Sequence, residues 1–366
     1  MNFITQLLLL ASCIFTAYYS TGKNVPADSV KVDYKKIYSY CLDGNVQPAL
    51  KMVQRYDVRK LDSTDQRFKA RFEARFKEDG RSVEVDSGKH SEIDRLFSIY
   101  MNYWKRSLLD NSKKNDSLLM KQLAGFFASQ YKLPMKRNDV LSEDTLDYFV
   151  KKYITSFGYH TTGWGRTGKY YDLLVWKTEK DTAYNFKVHE EKIHTKVVFM
   201  TDFITLGWEE YATLGRAFPG GWATDKALFC VKESYDLNSE SFLISYLCHE
   251  GRHFSDYKLF PKLESADLEY RGKLTELSLL KDDLYKTINF FIANANANSD
   301  NSHSFADYCV IRDLSRELFK TDFEKNSSKW EALPVEQIQK SAYDILQANT
   351  AALLKKGKGV KKFIKK

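Results

Sequence analysis

Residues 246–254 read YLCHEGRHF, and the fold turns on how His249-Glu250-Gly251-Arg252-His253 is read. Two imidazoles stand four apart, with a carboxylate directly after the first. Asn238 or Ser239 can open a helix here, because a side-chain oxygen at that position accepts from an orphan N–H. Phe242, Tyr246, His249, His253 and Asp256 then follow at helical spacing and form one stripe. Pro261 closes the helix. Both rings therefore point the same way, one turn apart, close enough to share an ion. Glu250 lies about 100° round the helix from His249, so it leans over that ion without binding it. This is the arrangement of H-E-x-x-H metallohydrolases.

The residue types suit the chemistry for separable reasons. Neutral imidazole binds zinc and leaves a coordination position open. Such an ion brings the pKa of bound water towards ~7 and polarises a carbonyl. A carboxylate placed like Glu250 takes the proton of that water and delivers it to a leaving amine. The chain has 7 histidines in 366 residues. A chance H-E-x-x-H in such a chain is on the order of one in a hundred, so the motif outweighs a reading as two surface histidines.

A zinc site needs a third protein ligand. The extended motif with Gly at 256 and His at 259 is absent, because those positions are Asp256 and Leu259. Residues 264–280, ESADLEYRGKLTELSLL, follow the Phe260-Pro261 break and predict a second, near-antiparallel helix. Glu269 and Glu276 share one face of it. Gly272 lies between them and leaves room for close approach. Glu269 is the expected ligand, with Glu276 and then Glu264 as alternatives. The carboxylate that does not bind metal, or Asp256, can orient a ligand histidine. His303 in SDNSHSFADY is put forward as a catalytic residue donating to an oxyanion, with Tyr308 as a second candidate. Cys248, off the stripe, is expected in the core.

Segment 239–280 resembles the zincin metallopeptidases, in particular the gluzincin type, in which H-E-x-x-H on one helix is completed by a Glu on the next. Glu269-Tyr-Arg-Gly272-Lys-Leu-Thr-Glu276-Leu is similar to the second helix of several such families. The resemblance implies Zn2+, peptide-bond hydrolysis, a peptide or protein substrate, metal ligation by His249, His253 and Glu269, and Glu250 as general base and acid. It also implies a sheet whose edge strand pairs with an extended peptide.

Working outward, the class expected is α+β: an all-helical N-terminal domain, then a zincin-like domain with a small antiparallel sheet and metal-binding helices. The helical domain is expected over 23–155, and from Val32 to about Lys152 it reads as helix after helix. IYSYCLDGNVQPALKMVQRY has the form of a helical hairpin, and Phe68, Phe72 and Phe76 fall on one face. Residues 170–177, 182–188 and 193–200 read as a three-strand antiparallel meander with turns at TEKD and HEEK, followed by a strand at 227–232. The catalytic domain is expected over 156–330, and a C-terminal helix and basic tail over 331–366. Gly163-Trp164-Gly165-Arg166-Thr167-Gly168 satisfies G-x-G-x-x-G, but a strand follows it rather than a helix, so it is a loop and no dinucleotide site. The stretches 207–215 and 218–225 suit either a cleft lining or core packing.

The net charge is +8, but the last twelve residues, KKGKGVKKFIKK, hold seven lysines and no acid. That tail is read as a solvated end, and no nucleic-acid partner is expected. The apolar run after MNFITQ reads as an export signal over residues 1–22. It is either of lipoprotein type, with Cys13 acylated and the N-terminus attached to membrane, or an ordinary signal cleaved near Ser20–Gly22. The protein is thus expected in the periplasm, secreted, or lipid-anchored at the cell envelope. Cys41, Cys230, Cys248 and Cys309 show no regular spacing, and paired and free states both stay open. The rival to a peptidase is a surface-anchored binding protein on a non-catalytic zincin-like scaffold; hydrolysis of a non-peptide amide is a further alternative.

Overall fold

A computed structural model describes residues 30–77, 83, 91–110, 114–134, 139–298 and 301–365. The signal segment and Cys13 lie outside the described residues. Six helices come first: α1 (Tyr34–Leu42), α2 (Val46–Arg55), α3 (Ser63–Arg75), α4 (Ser91–Leu109), α5 (Lys114–Tyr131) and α6 (Glu143–Thr155). The α1–α2 hairpin turns at Asp43-Gly44-Asn45. Gly44 takes φ +68°, which a side chain would resist, and the Asn45 side chain accepts from the Gln47 N–H at 3.2 Å. Phe68, Phe72 and Phe76 stack along α3 with ring centroids 5.6 and 4.9 Å apart, as their spacing predicts.

Strands β1 (His160–Thr161), β2 (Gly165–Thr167), β3 (Tyr170–Asp172), β4 (Leu174–Val188) and β5 (Glu191–Leu206) follow, then α7 (Trp208–Ala212), β6 (Gly221–Ala223) and β7 (Ala227–Val231). The chain ends with α8 (His249–Leu259), α9 (Ser265–Leu279), α10 (Leu284–Asn294), α11 (Ser302–Phe319), α12 (Ser327–Glu331) and α13 (Val335–Lys356). The class is α+β, as expected. No helix among the described residues is long and apolar enough to cross a membrane.

The sheet departs from the expected meander in two ways. TEKD is no turn: β4 runs straight through it, and the chain reverses at His189-Glu190. Lys177–Asp181 are exposed, so the middle of this ribbon carries the polar composition of a loop. Secondly, β7 pairs with β5 in parallel, Lys196 opposite Ala227 through Met200 opposite Val231. Residues 207–226, carrying α7 and β6, supply the crossover that a parallel pair requires. β6 then pairs antiparallel with β7. The G-x-G-x-x-G segment runs into the antiparallel β2–β3 hairpin rather than into a helix.

The described chain divides into two compact units, one of 30–178 and 202–218, the other of 179–201 and 219–365. These bounds differ from the expected 155/156 division. Tyr159, Trp164, Tyr170, Tyr171, Trp208 and Tyr211 join the same apolar core as α1–α6, so the start of the expected catalytic domain packs with the helices. Trp208 is buried there and donates from Nε1 to the Thr167 carbonyl at 2.8 Å.

The second unit is built around α9, which packs against α8, α11 and α13. Every residue from Asp267 to Ser278 is buried. The expected separate segment 331–366 is part of this unit, because α13 and the tail carry partners for α9. The tail is not a solvated end: Val360 and Ile364 are buried, and the Phe363 and Ile364 N–H groups donate to the Asp267 carboxylate. Trp222 is buried and stacks on Phe229, so packing rather than a cleft explains it. The four described cysteines are buried and free, Cys248 in the core as expected.

Candidate metal centre

The helix bearing the motif opens where its sequence says it should. Ser239 Oγ accepts from the Phe242 N–H at 3.2 Å. Its first turns, Ser241–Cys248, are wound as a π-helix rather than the expected α-helix, and α geometry begins at His249. Wide turns of this kind concentrate at functional sites. The stripe survives the change: Phe242, Tyr246, His249, His253 and Asp256 are all buried. Gly251 inside the motif has its own reason. A Cβ there would sit 2.7 Å from the Phe186 ring on β4, so the ribbon presses directly on the helix.

His249 and His253 direct their Nε2 atoms at one point, 2.9 Å apart, with the rings at 90°. The Glu269 carboxylate reaches the same point from α9: Oε2 lies 3.5 Å from His249 Nε2 and Oε1 lies 3.3 Å from His253 Nε2. One ligand atom from each of the three lies within 4.8 Å of the others, and all three residues are buried. This group could hold a metal ion. Gly272 is what lets α9 come so close, since a Cβ there would lie 2.4 Å from His249 Nε2. Two imidazoles and a carboxylate are a donor set that suits a first-row divalent cation. Neither Glu269 oxygen makes a hydrogen bond of good geometry, so its acceptor capacity is left for an ion.

The alternatives for the third ligand are placed elsewhere. Glu276 accepts from His249 Nδ1, on the side of the ring away from Glu269, and so orients that ring. Glu264 is exposed at the start of α9. Asp256 does not orient a histidine. It is bound by the Arg271 fork, Nε at 2.6 Å and Nη2 at 2.9 Å. His303 reaches the centre, its Nδ1 2.9 Å from Glu269 Oε2. Tyr308 turns away and stacks on Phe323.

Glu250 is fully buried and neither of its carboxylate oxygens has a hydrogen-bond partner. Burial pushes its carboxyl well above the usual carboxylate range; a charged His249 opposes this, and Glu269 and Glu276 add to it. Burial works to lower His249, but Glu276 and Glu269 outweigh it and push that ring up to about 10. Burial and the charge on His249 lower His253. Burial would raise Glu269, yet His303, His249 and His253 together hold it well below the ordinary value.

One pair was not legible in the sequence. Lys273 is buried, its Nζ 2.9 Å from Asp307 Oδ1. The pair lies one helical turn from the contact of Glu269 with His303, so α9 and α11 meet through two successive charge contacts. The matching spacing of four on both helices was the available signal, but it requires knowing that the helices touch.

Two expected outcomes follow from this geometry. Without metal, His249 carries a proton at neutral pH, because its pKa lies near 10. A cation must displace that proton, so affinity should tighten by roughly tenfold per pH unit through the neutral range. Competition against a chelator at several pH values measures this; a flat profile would contradict it. Gly272→Ala should force the His249 ring aside and weaken metal binding by at least about tenfold, the scale of losing an orienting partner. Unchanged affinity in that variant would mean the close approach is not a constraint.

Compared with known proteins, the chain matches no family model, no curated sequence and no solved structure.

Proposed function

We propose that the protein is an exported, zinc-dependent hydrolase of peptide bonds with a zincin-like catalytic unit. The observation that carries this reading is the convergence of two imidazole nitrogens and one carboxylate beside a second, unpartnered carboxylate. His249, His253 and Glu269 are the zinc ligands of the proposal. When bound, zinc supplies a Lewis acid that lowers the pKa of water and polarises a carbonyl.

The chain's own groups supply the rest. Glu250 takes the proton of the attacking water on its carboxylate and passes it to the leaving nitrogen. Its burial supports this role, since a carboxylate whose pKa is raised by burial is a stronger base than one in water. Glu276 fixes the ring of His249 through Nδ1. His303 holds Glu269 with one nitrogen and leaves the other to donate to a developing oxyanion. β6 ends the strand order β1-β4-β5-β7-β6, and its last residue, Ala223, lies beside Glu250. An extended substrate backbone aligned along that strand would bring its carbonyl to the site, which favours a peptide over a small amide.

Elemental analysis of the purified protein, paired with digestion of a peptide library, tests the reading. One zinc per chain with metal-dependent cleavage is expected. Stoichiometric zinc without cleavage of any peptide would favour the non-catalytic scaffold. Absence of stoichiometric zinc after reconstitution would remove the peptidase reading and favour the scaffold.

A further inference from the structure

We propose that the C-terminal segment forms a fixed cationic platform that docks the protein on an anionic bilayer surface. Charge distribution comes first. Removing the seven tail lysines from the net charge of +8 leaves +1 for all that precedes them, so nearly the whole excess sits in one segment.

A cationic segment is usually mobile, but this one is tied down at four points. The Glu264 N–H donates to the Lys361 carbonyl at 2.7 Å. Asp267, buried at the start of α9, accepts from the Phe363 and Ile364 amides at 3.1 and 2.9 Å. Arg312 Nη1 donates to the Lys365 carbonyl at 2.5 Å. Val360 joins Phe260, Leu263, Leu268 and Leu353 in one small core, and Ile364 is buried in another.

These anchors use backbone groups and apolar side chains, and they leave the charges outside. Lys355, Lys356, Lys358, Lys361, Lys362 and Lys365 are all exposed. The neighbouring α8–α9 turn adds exposed Lys258 and Lys262, with Glu264 as the exposed acid beside them. Asp267 faces inward.

The chemistry of the platform selects the partner. Every tail cation is Lys and none is Arg. Lysine offers a compact point charge suited to a diffuse anionic surface, whereas bidentate reading of phosphates and bases favours arginine. Leu354 is 57% exposed directly before Lys355-Lys356. An exposed leucine among lysines suits the boundary between headgroups and acyl chains. Single-stranded nucleic acid calls for exposed aromatics on which bases stack. The tail's Phe363 is instead half-buried, with Lys356 over its ring at 4.8 Å.

The test is flotation of the full chain with vesicles of phosphatidylcholine alone, or with about one third phosphatidylglycerol. The apolar N-terminal run would partition into both kinds, so the readout is the difference between them. Excess binding to the anionic vesicles is expected. It should vanish when salt is raised from about 0.1 M to about 1 M, as the Debye length falls from ~10 to ~3 Å. Changing Lys355, Lys358, Lys361 and Lys362 together to Gln should cut the anionic partitioning by about six-hundredfold, on the basis of about fivefold per lysine. These side chains are exposed, so metal content and circular dichroism should stay unchanged. Equal binding to both vesicle types, or excess binding that survives the four substitutions, overturns the proposal. So does tighter binding of a DNA duplex than of anionic vesicles at the same salt, with loss of that binding in the variant.

Discussion

Glu250→Gln is expected to leave one metal per chain in place and to reduce peptide turnover by about a thousandfold, within the range assigned to general acid–base catalysis. The two halves of this result have separate causes. Glu250 is not among the three groups whose donor atoms converge, so its replacement removes no ligand. Glutamine has the same shape, but its amide cannot take a proton from water. Metal content by elemental analysis and cleavage of a library peptide are read on the same sample. Loss of metal would place Glu250 in the ligand set, and retained turnover would remove it from the chemistry. Stability gives an independent check. In the folded protein the Glu250 carboxyl is held above its unfolded value. Its contribution to metal-free stability is therefore full at low pH and is lost as pH rises past the ordinary glutamate range. The glutamine variant lacks that loss, so the apoprotein variant should be the more stable of the two at alkaline pH.

Arg271→Met is expected to destabilise the fold by about 3–5 kcal/mol, the cost of leaving a buried charge without its partner. Arg271 and Asp256 are both fully buried, and the guanidinium also donates to Asn349 at 2.7 Å and Thr350 at 3.0 Å. One side chain thereby joins α8, α9 and α13. Its removal leaves Asp256, among the described residues, with the Arg252 guanidinium at 3.8 Å. Denaturant unfolding measures the change. Adding Asp256→Leu to the variant should recover a large part of it, because the lone buried carboxylate is then gone as well. A loss below about 1 kcal/mol in the single variant would mean that water reaches Asp256 and screens it.

Much of the site was legible because helical spacing is local. His249, His253 and the open face at Gly272 follow from counting residues. What was not legible was which helix lies inside. Asp267, Glu269, Arg271, Lys273 and Glu276 give α9 the composition of a solvated helix, yet all five are buried. Each faces a polar or charged group brought from another part of the chain, and no local pattern announces such pairings. The same limit explains the other departures. TEKD has turn composition, but pairing along β5 keeps it extended. The parallel register of β7 depends on a crossover, not on its own residues. KKGKGVKKFIKK reads as free until Asp267 is known to await its amides. Asp256 looked like a support for a ligand histidine because it shares the stripe; the Arg271 fork on the next helix claims it instead.

The five ionic side chains of α9 also set an order of assembly. The convergent ligands lie within residues 249–269, but their helix is compensated by His303 and Asp307, then by Asn349, and lastly by the amides at 363 and 364. During synthesis α9 emerges long before its last partners, and it cannot settle into an apolar interior until they arrive. Metal capture should therefore be a late event, completed only once residues 363 and 364 have docked on α9.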